Sequence, residues 1–110
     1  MKVNVLGTDY TIVLVTDAVD KRLAYIDGFC DDTTKEIYVD NYEAHQDEPH
    51  KKSNLDVQIK KTIRHELVHA FLFESGLAEN SPWAQNEELV DWIAIQGPKL
   101  WKAWQEAGAV

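Results

Sequence analysis

Short runs of apolar and β-branched residues fill most of the first forty positions of the chain, with Gly, Asp and Thr between them. Runs of this length separated by turn residues are typical of β-strands joined by tight turns. The predicted strands span residues 3–6, 10–15, 24–30 and 36–40. We expect them to pair as two hairpins, closed at residues 7–9 and 31–35. Residues 16–22, between the hairpins, are polar and are predicted to form a turn or a single helical turn.

A helical spacing of apolar residues replaces this pattern after residues 41–52, a polar and aperiodic segment that is predicted to be a loop. Ser53 or Asn54 is expected to cap a long helix that runs to about Ser75, where Gly76 provides a C-terminal stop. The apolar positions that recur at helical spacing in this segment are Leu55, Ile59, Ile63, Val68 and Phe71.

Two further helices are predicted in the C-terminal third of the chain. A loop at residues 78–82 precedes a helix at 83–96, and a short helix follows at 99–107. Gly97-Pro98 is expected to break the chain between them, because proline cannot donate a helical hydrogen bond. A sheet followed by helices is the α+β pattern, and 110 residues is the size of one domain. The sequence therefore predicts a single α+β domain over residues 1–110 with about four strands.

Composition and charge narrow the classes of protein that fit. Hydrophobic residues make up 45% of the chain and charged residues 27%, which is ordinary for a soluble globular protein. No apolar run is long enough to cross a bilayer, and Met1–Gly7 lacks the apolar stretch of a signal peptide. The formal charge of -8 disfavours binding to phosphate backbones. Cys30 is the only cysteine, so no internal disulfide can form and a reducing, cytoplasmic location is expected. From the charge and the lack of long apolar runs, we expect neither a nucleic acid nor a membrane as partner.

The segment His65-Glu66-Leu67-Val68-His69 has the pattern H-E-x-x-H and falls within the predicted long helix. Residues four apart share a helix face, so both imidazoles can reach one ion, and Zn²⁺ is the expected cofactor. Glu66 is rotated away from that face and is expected to act as a general base, which takes a proton from the attacking water. The alternative is two unrelated histidines with a glutamate between them.

A catalytic zinc site needs a third protein ligand, and the next predicted helix offers one. Glu87 and Asp91 are four apart, so Glu87 is predicted to complete the coordination while Asp91 accepts a hydrogen bond from a ligand histidine. Glu88 is the rival third ligand, because spacing alone does not separate adjacent glutamates. Alternatively, both glutamates only stabilise the start of a helix, where carboxylates favour the helix dipole.

Weaker candidates lie outside these two helices. His45 and His50 are expected to be solvated loop residues, with binding of substrate or an oxyanion as the alternative. Cys30 is expected to be a small buried residue, with an approach to the metal as the alternative. The four tryptophans are expected to pack in the core or between helices, with an exposed aromatic patch as the alternative. They are Trp83, Trp92, Trp101 and Trp104.

Two segments resemble a known family. Residues 63–71, around the H-E-x-x-H pattern, and residues 86–94, with Glu87 and Asp91, resemble compact metallopeptidases of the ImmA/IrrE type, especially the short versions carried by phages and prophages. The spacing of Glu87 and Asp91 is also similar to the E-x-x-x-D of thermolysin-like gluzincins, which favours Glu87 over Glu88 as third ligand.

This resemblance implies a minimal zincin fold, in which a small twisted sheet packs against the metal-binding helix. It also implies that an edge strand pairs with an extended substrate, and residues 36–40 are the candidate strand. Family members of this type cut repressor proteins, so regulatory proteolysis is the implied activity. This chain has no predicted helix-turn-helix or sensory domain.

The function predicted from these observations is a zinc metallopeptidase, an endopeptidase whose partner is a protein or peptide substrate. One alternative is an inactive binding or adaptor protein with a structural metal, whose site is closed by His45, His50 or Cys30 as a fourth ligand. Another is a zinc hydrolase of a non-peptide amide, since H-E-x-x-H specifies the metal and the base but not the bond that is cut. No oligomeric state is predicted.

Overall fold

The computed structural model describes residues 1–45, except the side chain of His45, and residues 53–110. The predicted α+β class is confirmed, because a four-stranded sheet comes first and helices follow. The strands are β1 (Lys2–Val5), β2 (Thr8–Val15), β3 (Gly28–Asp31) and β4 (Glu36–Asp40).

Both predicted hairpins are present, since β1 pairs with β2 and β3 with β4, each antiparallel. The hairpins join through a parallel pairing of β2 with β4, in which Thr11 lies opposite Glu36 and Val15 opposite Asp40. The resulting order is β1-β2-β4-β3, so β4 is internal and β3 is an edge strand.

The third strand begins at Gly28, four residues later than predicted. A 3-10 turn at Lys21–Leu23 occupies the preceding segment and is capped by the Asp20 side chain, which accepts from the Arg22 amide. Leu23 is 1% exposed and anchors this turn, so the chain reaches the sheet only after residue 27.

Helix α1 (Leu55–Glu74) has the predicted ends. The Asn54 side chain accepts from the Val57 amide, and Gly76 adopts a left-handed φ of 82° just past the helix. That conformation suits glycine, which has no Cβ to clash. The helix contacts β1, β3 and β4 of the sheet as well as the C-terminal helix. The core beneath it contains Val5, Tyr10, Ile12, Ile37, Val39 and Ala70.

The C-terminal third differs from the prediction. A short helix, α2 (Leu77–Asn80), occupies the predicted loop, a 3-10 turn follows at Pro82–Gln85, and α3 (Glu87–Glu106) continues through Pro98 without a break. The predicted break at Gly97-Pro98 was therefore wrong. Gly97 has no Cβ, which removes one of the clashes that normally keep the residue before proline out of a helix.

The four tryptophans are not core residues, contrary to expectation. Their exposed fractions are 51% for Trp83, 53% for Trp92, 50% for Trp101 and 48% for Trp104. Every residue from Trp101 to the end of the chain is exposed, because the last turns of α3 extend beyond the packed part of the molecule. In the described part of the chain, no helix is long and apolar enough to cross a bilayer.

Candidate metal centre

The H-E-x-x-H residues line a cavity of about 610 Å³ between α1, β3 and the start of α3. His65 and His69 lie on one face of α1, and their side chains are 17% and 13% exposed. The other lining residues are Ile26, Asp27, Gly28, Phe29, Cys30, Gln58, Lys61, Thr62, Phe73, Gln85, Glu87 and Asp91.

Glu87 meets both histidines. It is the first residue of α3, where the Asn86 side chain caps the helix by accepting from the Leu89 amide at 2.9 Å. One Glu87 oxygen (Oε2) lies 2.9 Å from His65 Nε2 and the other (Oε1) lies 3.0 Å from His69 Nε2. Two imidazole nitrogens therefore converge on a single carboxylate from a different helix.

Asp91 contacts the other nitrogen of His65, with Oδ1 3.2 Å from Nδ1. A neutral imidazole donates from only one nitrogen, yet both nitrogens of His65 face a carboxylate oxygen. If Nδ1–H donates to Asp91, the contact of Nε2 with Glu87 needs a cation between them, either a second ring proton or a metal ion. One metal ion would satisfy His65 and His69 together, and two imidazoles with a carboxylate are a donor set that suits Zn²⁺.

Glu66 is 6% exposed and lies on the same cavity. Burial raises the pKa of its carboxyl to about 7; the nearby charge of His65 opposes this rise and that of Glu87 adds to it. Ligand atoms of His65, Glu66 and His69 all lie within 4.8 Å of one another. A carboxyl group with a pKa near neutrality, next to two histidines, has the properties of a proton acceptor that can later donate.

Gly28 brings β3 against this carboxylate. A Cβ at that position would lie 3.5 Å from Glu66 Cγ, and only 2.8 Å from both Thr62 Cγ2 and the Tyr38 carbonyl oxygen. Glycine is required here because the strand backbone approaches α1 too closely for a side chain.

A comparison with protein families extends this picture from the site to the whole chain. A family model described as BSP, peptidase of plants and bacteria, matches residues 7–109. The chain belongs to this family. No curated protein and no solved structure matches it. Membership of the BSP family supports the prediction of a peptidase, whereas the resemblance to the ImmA/IrrE group stays a prediction.

Glu88 and Cys30, the other residues considered near the metal, have different positions in this BSP chain. Glu88 is exposed and is not among the residues that line the cavity. Cys30 lines the cavity from edge strand β3, whereas Glu87 reaches it from α3. Burial raises the pKa of the Cys30 thiol to about 12, so it stays protonated at neutral pH. The predicted roles of the His45 side chain and of His50 lie outside the described residues.

The strand predicted to receive substrate as an edge strand is internal in the sheet. Residues 36–40 form β4, which has β2 on one side and β3 on the other, so its backbone hydrogen bonds are already used. The edge strand next to the cavity is β3, and Gly28, Phe29 and Cys30 of that strand line the cavity.

Sequence reasoning also missed the buried polar residues Gln58 and Thr62. They precede Glu66 by eight and four positions, so all three lie along one face of α1, and Gln58 and Thr62 are 6% and 4% exposed. Gln58 donates to Asp27 Oδ2 at 3.0 Å, and Thr62 Oγ1 donates to the Gln58 carbonyl at 2.9 Å. The four-residue spacing of polar side chains ahead of Glu66 was the available signal.

Proposed function

We propose that this protein is a zinc-dependent endopeptidase, with His65, His69 and Glu87 as metal ligands and Glu66 as general base. The observation that supports this proposal best is the convergence of two Nε2 atoms on one carboxylate, at 2.9 and 3.0 Å. Membership of a peptidase family supports the reaction class. The H-E-x-x-H pattern supports the metal.

A zinc ion at this position would supply Lewis-acid polarisation of the scissile carbonyl and of the attacking water. Glu66 takes the proton from that water and passes it to the leaving amine, and its position beside both histidines on the cavity suits this role. Asp91 accepts from His65 Nδ1–H, which orients the ring and leaves Nε2 free to bind the metal.

The length of α1 that lines the cavity supports internal cleavage rather than trimming of chain ends. Cavity-lining residues on α1 run from Gln58 to Phe73, which at ~1.5 Å per residue is roughly 22 Å of helix. His65 lies near the middle of this length. An extended peptide advances ~3.3 Å per residue, so about six substrate residues fit, with some on each side of the metal.

Edge strand β3 supports recognition of the substrate backbone. An extended peptide can add to the sheet edge at Gly28–Asp31 through main-chain hydrogen bonds. The resemblance to ImmA/IrrE peptidases of phages and prophages supports a repressor-like protein as the substrate and regulatory proteolysis as the role.

The test compares adjacent glutamates. Zinc content and zinc affinity are measured by elemental analysis and chelator competition on the wild type, Glu87→Ala and the matched control Glu88→Ala. We expect one zinc per chain in the wild type and in Glu88→Ala. In Glu87→Ala, zinc affinity should fall by more than about 100-fold. Removing a group that only hydrogen-bonds to a metal ligand costs about 10–100-fold, and losing a ligand itself should cost more. Wild type without zinc after supplementation, or equal loss in both variants, would contradict the ligand set.

Activity is tested on an unfolded protein such as casein and on a quenched fluorogenic peptide library. Glu66→Gln should retain zinc and reduce turnover by about 10²–10⁴-fold, because the general base is removed while the ligands remain. Full zinc occupancy with no cleavage of any peptide by the wild type would instead support the binding-protein alternative. Cleavage by Glu66→Gln at the wild-type rate would exclude Glu66 as the base.

A further inference from the structure

Helix α3 contains a carbonyl group that lacks its usual donor four residues later in the helix. The residue four positions after Ala94 is Pro98, which has no N–H to donate to the Ala94 carbonyl. Ala94 is 1% exposed, so its carbonyl has little access to water. A buried carbonyl of this kind needs a donor from elsewhere in the protein.

Arg64 of α1 supplies that donor. Its Nε lies 2.6 Å from the Ala94 carbonyl oxygen, in a partly buried environment. Arg64 directly precedes His65, and Ala94 lies three residues, about one helical turn, after Asp91. The hydrogen bond therefore joins the two helices beside the point where His65 meets Asp91.

The other polar side-chain contacts between α1 and α3 in the described residues are those of the metal site itself. His65 contacts Asp91 and Glu87, and His69 contacts Glu87. These contacts cannot independently set the position of α3, because Glu87 is 69% exposed and begins the helix. The buried residues of α3 are Val90 and Ala94, so the Ala94 carbonyl held by Arg64 lies within the packed face of the helix.

We propose that Arg64 is a positioning residue for the metal centre. By holding the Ala94 carbonyl, Arg64 sets the register of α3 on α1, so that Asp91 reaches His65 Nδ1 and Glu87 reaches both Nε2 atoms. The proposal rests on the proposed function, since it concerns the same ligands. The guanidinium Nε–H has a fixed direction, so it constrains the position of the carbonyl more tightly than a flexible ammonium would.

The experiment uses Pro98→Ala to separate positioning from simple stabilisation of α3. Alanine at position 98 restores an N–H that can donate to the Ala94 carbonyl within the helix. A carbonyl oxygen has two lone pairs, so Arg64 can still donate in this variant. The set comprises Arg64→Ala, Pro98→Ala, the double variant, and Lys60→Ala as a control for loss of an exposed charge on α1, where Lys60 is 68% exposed.

Two quantities are measured in each protein, unfolding in urea and zinc affinity by chelator competition. Arg64→Ala should lower both. The double variant should regain stability, because the carbonyl is satisfied again, but its zinc affinity should stay about 10–100-fold below wild type. Pro98→Ala and Lys60→Ala should bind zinc as wild type does. If zinc affinity recovers together with stability in the double variant, Arg64 acts only on helix integrity and the proposal is wrong.

A measurement without metal keeps this proposal separate from the proposed function. In the zinc-free protein, the NMR signal of the His65 Nδ1 proton reports its hydrogen bond to Asp91. We expect this signal in the wild type and Lys60→Ala, and its loss in the double variant. Retention in the double variant would overturn the positioning role. If the wild type binds no zinc but the double variant still loses the His65 Nδ1 signal, the proposed metal site is refuted while the positioning role of Arg64 is supported.

Discussion

Replacing Gly28 by alanine is expected to affect both the fold and the candidate site. Gly28 is the first residue of β3 and lies opposite Val39 in β4. An added Cβ would lie 2.8 Å from Thr62 Cγ2 on one side and 2.8 Å from the Tyr38 carbonyl oxygen on the other. Both distances are shorter than real Cβ contacts, and the Tyr38 oxygen belongs to the backbone of the sheet. Relief therefore requires β3 to shift relative to both α1 and β4.

Overpacking of this kind typically costs about 1–3 kcal/mol. For a chain of this size roughly 4 °C of Tm is lost per kcal/mol, so a decrease of ~4–12 °C is expected. Urea unfolding and thermal scans of Gly28→Ala measure the loss. Peptidase activity should also fall, because the shift of β3 changes the packing around Glu66. A Cβ at position 28 would lie 3.5 Å from Glu66 Cγ.

A second substitution tests whether the contact with Thr62 causes the loss of stability in Gly28→Ala. Thr62→Ser removes the clashing Cγ2 and keeps the hydroxyl, which donates to the Gln58 carbonyl at 2.9 Å. The double variant Gly28→Ala/Thr62→Ser should recover part of the stability but not all of it, because the Tyr38 oxygen is unchanged. Thr62→Ser alone is the control. A Gly28→Ala protein within about 0.5 kcal/mol of wild type would refute the close-approach reasoning, since that is the range of ordinary surface substitutions.

Glu74→Gln should flatten the acid side of the stability curve. Hydrogen bonds from Lys35 and Tyr10 hold the pKa of Glu74 below its ordinary 4.5, so the unfolded chain binds more protons and the carboxylate stabilises the fold above about pH 4.5. This contribution is lost as the pH falls through the lowered pKa of Glu74. The free energy of unfolding in urea is measured against pH for both proteins, and an equal decrease at acid pH would contradict the prediction. Cys30 should resist alkylation at pH 8, because a pKa of about 12 leaves roughly one thiolate in 10⁴. Rapid modification of the folded protein by iodoacetamide, or a thiolate-to-metal absorption band after cobalt substitution, would show that Cys30 is ionised.

Local signals were sufficient for the elements that depend on neighbours in sequence. The strand pairs were predictable because short turns force adjacent runs into antiparallel hairpins. The long helix was predictable because its cap Asn54 and its terminator Gly76 act through hydrogen bonds and φ angles within a few residues. The H-E-x-x-H pattern likewise depends on a helical spacing of four, which brings His65 and His69 to one cavity.

The sequence reduced the candidates for the third metal ligand to Glu87 and Glu88 but did not decide between them by spacing alone. Adjacent residues on a helix point about 100° apart, so Glu87 and Glu88 cannot both face α1, but which one does depends on how α3 is rotated. The structure brings Glu87 to within 3.0 Å of His69 and leaves Glu88 outside the cavity. That rotation is set by packing between helices that are distant in sequence.

The sequence by itself determined the α+β order of elements, the two hairpins and the helix that carries the histidines, because each is specified by contacts within a few residues. Only the tertiary structure decided that β2 pairs in parallel with β4, which makes β3 rather than β4 the edge strand. It also decided that α3 continues through Pro98, since the missing hydrogen bond is replaced by Arg64 of α1, 30 residues away in sequence. No local pattern specifies such a contact, because it forms only when two separately predicted helices pack against each other.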